Sequence, residues 1–143
     1  MALAIVLLVD DEVPFVETMT KRLKKRELDI IPAYNGEEAL KKLEEHPNIE
    51  VVILDVKMPG MDGIETLGEM KKNHPLKEVI MLTGHATVES AIEGMKKGAY
   101  DYLMKPCDIE LLVDKVTDAA AKKRRHEEKI IEAQLKEITL RRT

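Results

Sequence analysis

The segment Val51–Gly63, with the sequence VVILDVKMPGMDG, decides the fold. It begins with four apolar residues, too few for an ordinary helix, in a pattern typical of a strand buried on both faces of a parallel sheet. Asp55 follows this run, and Pro59-Gly60 and Asp62-Gly63 then turn the chain. Open α/β sheets bind ligands just beyond the carboxyl ends of their strands. Asp55 is therefore an ionisable group at the place where such a fold carries out chemistry.

Strand-like and helix-like segments alternate along the whole chain. Strands are predicted over 3–9, 28–33, 50–54, 78–82 and 99–104, and helices over 14–26, 36–46, 62–73, 87–97 and from 108 onward. These units predict an α/β fold with a five-stranded parallel sheet in the flavodoxin-like (βα)5 order 2-1-3-4-5. Pro32 lacks a backbone N–H, so an edge position suits the second strand.

Composition limits the class of protein. A chain of 143 residues, 44% of them hydrophobic, is long enough for one domain with its own core. The single Cys107 excludes an intrachain disulfide and a cysteine-rich zinc site, and it suits a reducing cytoplasm. The apolar residues 1–9 have no basic flank and are too short to cross a bilayer. They predict a buried first strand, and no membrane partner is expected.

The chain is predicted to divide into a domain over 1–120 and a helical extension over 121–143. The last helix is expected to pack on the sheet through Leu111, Leu112, Val116, Ala119 and Ala120. The extension carries a net charge of +4 and the rest of the chain −8. Acids are interleaved with its cations, as on a solvated helix face, so no nucleic-acid binding is expected. Ile131, Leu135 and Ile138 are spaced by four and three residues, which is compatible with a short coiled coil or with an exposed helix.

Three other predicted strands also end in polar residues. Strand one ends in Asp10-Asp11, strand four in Thr83-Gly84 and strand five in Lys105-Pro106. Strands one, three, four and five are neighbours in the expected order, so their ends meet Asp55 in one crevice. Three close carboxylates repel one another unless a cation joins them. Oxygen ligands without His or Cys suit Mg²⁺, or alternatively Mn²⁺.

The groups in this crevice are those needed to accept a phosphoryl group. A lysine ammonium and a metal neutralise phosphate charge, while the Thr83 hydroxyl and a backbone N–H bind phosphate oxygens. A carboxylate remains as the nucleophile, and Asp can carry an aspartyl-phosphate. Each residue alone has another interpretation: Asp10-Asp11 as a helix cap, Lys105 as a surface lysine, Thr83 as a turn residue. Their joint occurrence at strand ends favours one shared site.

The motifs that carry these groups resemble the receiver domain of two-component response regulators, over roughly residues 4–120. They are LLVDDE (7–12), LDVKMPGMDG (54–63), LTGHAT (82–87) and GAYDYLMKP (98–106). The resemblance implies that Asp55 is the phosphoacceptor and that a sensor histidine kinase or a phosphotransfer protein is its partner. It also implies that Thr83 and Lys105 contact the phosphoryl group and that Pro106 follows a cis peptide bond.

The resemblance further implies the ligands of a Mg²⁺ ion. Asp11 and Asp55 would bind the metal through their side chains, and Lys57 through its backbone carbonyl. Asp10 would reach the metal through a water molecule. No organic cofactor is expected.

A switch is implied next to this site. Tyr102 would turn inward when Thr83 moves toward the phosphoryl group, and the surface of helix four, strand five and helix five would report the change to a partner. A homodimer is expected through that surface or through the C-terminal helix. The TGHATVESA segment (83–91) and the long last helix are similar to those of receivers attached to ATPase-type transcription activators. Access to the phosphoryl group would be tuned by Lys57, Gly84 and His85.

Three alternatives share part of this pattern. A phosphohydrolase with an aspartyl-phosphate intermediate is disfavoured because Lys57 leaves no second acid two residues after Asp55. A receiver-like adapter that works without phosphorylation would not need the complete set of pocket residues. A flavodoxin-type protein is disfavoured because the Asp10-Asp11-Glu12 loop would repel the phosphate of FMN. The sequence therefore favours a signalling switch that catalyses only its own phosphorylation and hydrolysis.

Overall fold

Strands and helices alternate along residues 2–142, the part of the chain that the computed structural model describes. The strands are β1 (Ala4–Val9), β2 (Leu28–Ala33), β3 (Val51–Leu54), β4 (Glu78–Thr83) and β5 (Asp101–Met104). The helices are α1 (Val13–Lys24), α2 (Gly36–Glu45), α3 (Gly63–Asn73), α4 (Val88–Lys96) and α5 (Ile109–Arg142). The sheet is parallel, with the order β2-β1-β3-β4-β5, so the predicted flavodoxin-like α/β fold is confirmed.

The register of the sheet brings the functional strand ends together. Val9 pairs with Leu54, Leu54 pairs with Met81, and Thr83 pairs with Met104. The carboxyl ends of β1, β3, β4 and β5 therefore lie along one edge of the sheet. Every residue of β3 and β4 is buried, which explains why the central strands are apolar on both faces.

Hydrophobic cores cover both faces of the sheet. One core contains the buried residues of α1 and α5, and the other contains those of α2 and α3. On α5, Leu112, Val116 and Ala119 are buried at spacings of four and three residues. Leu111 is 43% exposed, so the prediction that it packs on the sheet was wrong. Neighbouring residues of a helix point about 100° apart, which turns Leu111 away from the stripe that begins at Leu112.

An ion-pair network anchors α5 at the amino-terminal ends of the strands, which we call the amino edge of the sheet. Arg124 donates from Nε and Nη2 to the two carboxylate oxygens of Glu50, at 2.6 and 2.8 Å. Glu78 at the start of β4 lies 3.1 Å from the Lys122 ammonium and 3.4 Å from that of Lys71. The helix is thus held to the sheet beyond its last buried residue, Ala120. We call this set the amino-edge network: Glu50, Glu78, Lys71, Lys122 and Arg124.

The last part of α5 projects into solvent. Residues 128–141 are all exposed. The apolar stripe noted in the sequence, formed by Ile131, Leu135 and Ile138, lies on this exposed part of the helix. Within the described range, no helix has both the length and the apolar content needed to span a membrane.

Candidate functional site

Three carboxylates meet at the carboxyl-terminal ends of the parallel strands, which we call the carboxyl edge of the sheet. The Asp10 N–H donates to the Ala33 carbonyl at 3.1 Å and the Asp55 N–H to the Val9 carbonyl at 3.0 Å, so sheet hydrogen bonds fix both backbones. One carboxylate oxygen each from Asp10, Asp11 and Asp55 lies within 4.8 Å of the other two. Asp10 and Asp55 are 1% and 2% exposed. We call these three aspartates the acidic pocket.

The acidic pocket fits a hard divalent cation. Its donors are carboxylate oxygens alone, which suit Mg²⁺ better than metals that prefer imidazole or thiolate. Carboxylates at this separation, two of them buried, oppose one another's ionisation unless positive charge is supplied. The cavity over the pocket is open and is lined by Asp11, Glu12, Lys57, Met58, Pro59 and His85.

Gly63 holds the chain that follows Asp55 against the end of β3. Its N–H donates to the Val56 carbonyl at 2.6 Å, and a Cβ at this position would lie 1.9 Å from the Asp55 carbonyl oxygen. Helix α3 begins here because the Asp62 side chain accepts a hydrogen bond from the Glu65 N–H at 2.8 Å. The sequence shows Asp62-Gly63 as a turn, but only the structure shows that a side chain at 63 would displace the backbone of Asp55.

Lys105 reaches the acidic pocket from the end of β5. Its ammonium lies 2.6 Å from Asp10 Oδ2 and 3.3 Å from Glu12 Oε1. The same nitrogen lies 3.9 Å from the centre of the Phe15 ring. The Lys105–Pro106 peptide bond is cis, as the resemblance implies. Glu12 and Phe15 are contacts of Lys105 that sequence reasoning did not identify.

Burial and neighbouring charges shift the pKa values of Asp10 and Lys105. Burial raises the pKa of Asp10, and the charge of Asp55 raises it further, against the opposing hydrogen bonds from Lys105 and the Glu12 N–H. Burial by itself lowers the pKa of Lys105, but the hydrogen bond to Asp10 and the charges of Asp10 and Asp55 give a net rise. Burial is the main cause of the rise for Asp10, whereas for Lys105 the cause is the surrounding carboxylates, whose charge one ammonium does not balance. An added cation would relieve this imbalance.

Thr83 and the residues after it form the wall of the site beside β4. Thr83 is buried, and its hydroxyl oxygen accepts a hydrogen bond from the His85 N–H at 3.0 Å. Gly84 and His85 are exposed. His85 and Lys57 line the same cavity as Asp11. The predicted access residues Lys57 and His85 therefore lie at the mouth of the cavity, whereas Gly84 is exposed but does not line it.

Tyr102 links β5 to the first turn of α4. The Tyr102 ring is half-buried, and its hydroxyl lies 2.6 Å from Ser90 Oγ. Ser90 and Thr87 form a capping box, in which the Ser90 N–H donates to Thr87 Oγ1 at 3.0 Å and the Thr87 N–H donates to Ser90 Oγ at 3.1 Å. Sequence reasoning missed Ser90, although the Thr-x-x-Ser spacing before a helix is a signal of such a cap.

Comparisons with known proteins identify the family and agree with the fold. The family model described as response regulator receiver domain matches residues 6–117. The transcriptional regulatory protein ZraR of Klebsiella oxytoca is 35% identical over 127 residues, which cover 89% of this chain and 28% of that protein. This chain spans 23–28% of the length of such curated relatives.

Solved structures give the same answer. A CheY-like receiver domain protein from Methanospirillum hungatei JF-1 superposes with a TM-score of 0.82 at 27% identity, covering 87% of this chain and 99% of that one. A chain of the CheX-CheY-BeF3-Mg+2 complex from Borrelia burgdorferi has a TM-score of 0.75 and 34% identity, covering 80% of this chain and 87% of that one. The chain described here belongs to the response regulator receiver domain family.

Proposed function

We propose that this chain is the phosphoacceptor switch of a two-component system and that Asp55 receives the phosphoryl group. The observation that carries this proposal is the acidic pocket at the end of β3. There, the buried Asp55 shares a site with two further carboxylates, and the Lys105 ammonium approaches from the end of β5. A carboxylate without such surroundings has neither a cation site nor a partner for the charge of an incoming phosphoryl group.

Asp55 is oriented for nucleophilic attack. Its Oδ1 accepts a hydrogen bond from the Val56 N–H at 2.8 Å, which leaves Oδ2 as the attacking atom. Oδ2 attacks the phosphorus of a phosphohistidine on a sensor histidine kinase or phosphotransfer protein, and the P–N bond breaks with its electron pair returning to the imidazole. Thr83 and Lys105 bind oxygens of the transferred group. The only reactions catalysed are this transfer and the later hydrolysis of the acyl phosphate.

The proposed metal ligands are the side chains of Asp11 and Asp55, the backbone carbonyl of Lys57 and, through water, Asp10. A bound Mg²⁺ or Mn²⁺ neutralises charge on the phosphoryl oxygens during transfer. The carboxylate-only donor set supports this proposal. The Borrelia relative, whose complex contains BeF3 and Mg+2, supports it as well.

The switch couples Thr83 to helix α4. Thr83 moves toward the phosphoryl group, Tyr102 turns inward, and the hydrogen bond between Tyr102 and Ser90 changes with it. The access residues Lys57, Gly84 and His85 set how easily water reaches the acyl phosphate.

The output surface is formed by α4, β5 and α5. Its apolar side chains are exposed and comprise Val88, Ile92, Met95, Met104 and Leu111. We propose that this surface, or the stripe of Ile131, Leu135 and Ile138 in a short coiled coil, joins two copies of the chain. Residues 1–120 act as the switch and 121–143 as its helical extension, in a cytoplasmic regulator. Transcription is the proposed target of the output, because the relative ZraR is a transcriptional regulatory protein.

Amide NMR spectroscopy with beryllofluoride and Mg²⁺ tests the switch. We expect large shifts near Asp55, Thr83 and Tyr102 in the natural sequence and none in Asp55→Asn. An unchanged spectrum of the natural sequence would instead indicate an adapter that does not depend on phosphorylation. Turnover of an added phosphate ester that is lost in Asp55→Asn would indicate a phosphohydrolase. Light scattering with and without beryllofluoride tests the dimer, and a monomer in both states contradicts it.

A further inference from the structure

Three side chains enclose the Lys105 ammonium. Asp10 Oδ2 lies at 2.6 Å, Glu12 Oε1 at 3.3 Å, and the centre of the Phe15 ring at 3.9 Å. The Lys105 side chain is only 14% exposed. An ammonium between two carboxylates and the face of an aromatic ring is held by charge and by a cation–π contact.

Asp55 is not part of this enclosure. Within residues 2–142, the carboxylates that form ion pairs within 4.0 Å of the Lys105 ammonium are those of Asp10 and Glu12. Asp55 acts on Lys105 through its charge at longer range. A phosphoryl group on Asp55 would therefore compete with Asp10, Glu12 and Phe15 for the Lys105 ammonium.

From this geometry we infer that Glu12 and Phe15 are positioning residues that hold Lys105 in a resting place and so limit its transfer to the phosphorylated Asp55. The inference rests on the proposed role of Asp55. Glu12 and Phe15 touch the lysine and not the reacting atoms, so they act through Lys105.

The local structure frees Glu12 for this role. Glu12 is the N-cap residue of α1, yet its side chain makes no capping hydrogen bond to the helix. Its backbone N–H donates to Asp10 Oδ1 at 2.9 Å, which ties the residue to the acidic pocket. The carboxylate points to Lys105 instead of to the helix N–H groups that an N-cap side chain ordinarily satisfies.

Phe15 is held in place from below. It is half-buried and packs against the core that α1 and α5 share. The ring therefore presents a fixed face to Lys105 and does not follow the lysine when the ammonium moves. We expect contact with the ring to be lost when the ammonium moves to Asp55.

These contacts compete with the phosphoryl group for one ammonium. Removing either contact raises the free energy of the resting arrangement, so less is lost when Lys105 moves. Glu12 is 61% exposed, so its ion pair is weak. We expect Glu12→Gln and Phe15→Leu each to tighten beryllofluoride binding at saturating Mg²⁺ by about two- to five-fold, the range of such surface ion pairs and cation–π contacts.

The experiment follows the ε-methylene protons of Lys105 by NMR in lysine-labelled protein, together with beryllofluoride titrations. In the natural sequence without beryllofluoride, the ring should shift these protons upfield of those of the other lysines. Saturation with beryllofluoride should remove the shift. Phe15→Leu should remove it at once, Phe15→Tyr should retain it together with the natural affinity, and Glu12→Gln should reduce it.

The matched control is Glu17→Gln, an exposed acid on the same helix, with natural affinity expected. It distinguishes release of Lys105 from a general loss of negative charge, as does the uncharged change Phe15→Leu. An unshifted Lys105 resonance in the resting protein overturns the inference. An affinity in Phe15→Leu that equals or falls below the natural value also overturns it. If the natural sequence does not bind beryllofluoride, the proposed role of Asp55 fails, while the resting NMR shift still reports whether Lys105 is held.

Discussion

The two edges of the central sheet both carry buried acids, but they differ in how those acids are compensated. At the amino edge, Glu50 has Arg124 as a bidentate partner, and Glu78 has two lysine partners. At the carboxyl edge, the three aspartates of the acidic pocket have one ammonium near them, which Glu12 also contacts.

The pKa shifts separate the two edges. Burial raises the pKa of Glu50, but the hydrogen bonds and charge of Arg124 outweigh it, and the net shift is downward. Burial also raises the pKa of Asp10, and there the single lysine does not outweigh it. The hydrogen-bonding and cationic partners of each acid, and not burial alone, decide whether its pKa rises or falls. The amino edge is complete within the chain, whereas the carboxyl edge is suited to an added cation.

The largest effect should come from removing the nucleophile at the carboxyl edge. We expect Asp55→Asn to abolish labelling by acetyl phosphate, because an amide does not form the acyl phosphate. Intact-mass measurement after incubation with acetyl phosphate and Mg²⁺ reads this directly. Asp114→Asn, an exposed acid on α5, is the control and should be labelled normally. A labelled Asp55→Asn would place the phosphoacceptor elsewhere.

The second effect is stabilisation by a metal at the carboxyl edge alone. Mg²⁺ at a hundredfold excess over its Kd should stabilise the fold by about 2.7 kcal/mol, raising Tm by several degrees. Thermal melts with Mg²⁺ and then with excess EDTA measure the gain and its reversal. Asp11→Asn should lose most of the gain, while Glu50→Gln should keep it. An equal gain in both variants would show that the ion binds outside the acidic pocket.

A smaller effect is expected from breaking the amino-edge network. Arg124→Gln leaves the largely buried Glu50 carboxylate without its bidentate partner, which should destabilise the fold by about 1–2 kcal/mol. Amide hydrogen exchange should quicken over residues 121–130, and beryllofluoride binding should be unchanged. Arg125→Gln, one residue along and exposed, is the matched control. Altered beryllofluoride binding in Arg124→Gln would mean that the two edges are coupled.

The smallest effect is a pH dependence of the amino edge. Since the folded-state pKa of Glu50 lies below its ordinary value of 4.5, its contribution to stability is present above about pH 4.5 and is lost as the pH falls through the folded pKa. Urea unfolding between pH 3 and 6 should therefore show a free energy of unfolding that falls as the pH falls, which we call the acid limb. In Glu50→Gln this fall should be smaller, by less than about 1 kcal/mol. An unchanged acid limb would contradict this assignment. Asp10 has the opposite sign, because its raised pKa makes its contribution fall as the pH rises.

Local sequence patterns were sufficient to predict the fold and to predict that the acids of the pocket lie close together. Short apolar runs that end in turn dipeptides mark the strands of a parallel sheet, and the strand order brings Asp10, Asp11 and Asp55 to one edge. The sequence also placed Pro32 on an edge strand, where β2 pairs with β1 alone.

Other features depend on distances that no local pattern encodes. Arg124 and Glu50 lie 74 positions apart in the chain, so their ion pair leaves no sequence signal. The approach of Phe15 to Lys105 likewise joins two residues that are far apart in the sequence. The sequence shows Gly63 only as a turn residue, whereas the structure shows that the Asp55 carbonyl oxygen leaves no room for a Cβ at this position. The prediction that Leu111 packs on the sheet was wrong for a simpler reason. The sequence shows an apolar residue there but does not show whether it belongs to the buried stripe of the helix.

The bidentate pair of Arg124 with Glu50 gives helix α5 a fixed pivot. The helix has 34 residues, and the 18 that follow Arg124 extend it by about 27 Å at 1.5 Å per residue. A tilt of about 5° at the pivot would displace the far end by about 2 Å, roughly the rise of one residue or more. An angular change too small to break one hydrogen bond at the sheet thus becomes a displacement the size of a side-chain contact at the tip. The length of α5 beyond Arg124 therefore converts a small tilt at the Arg124–Glu50 pair into a larger displacement at the end of the helix.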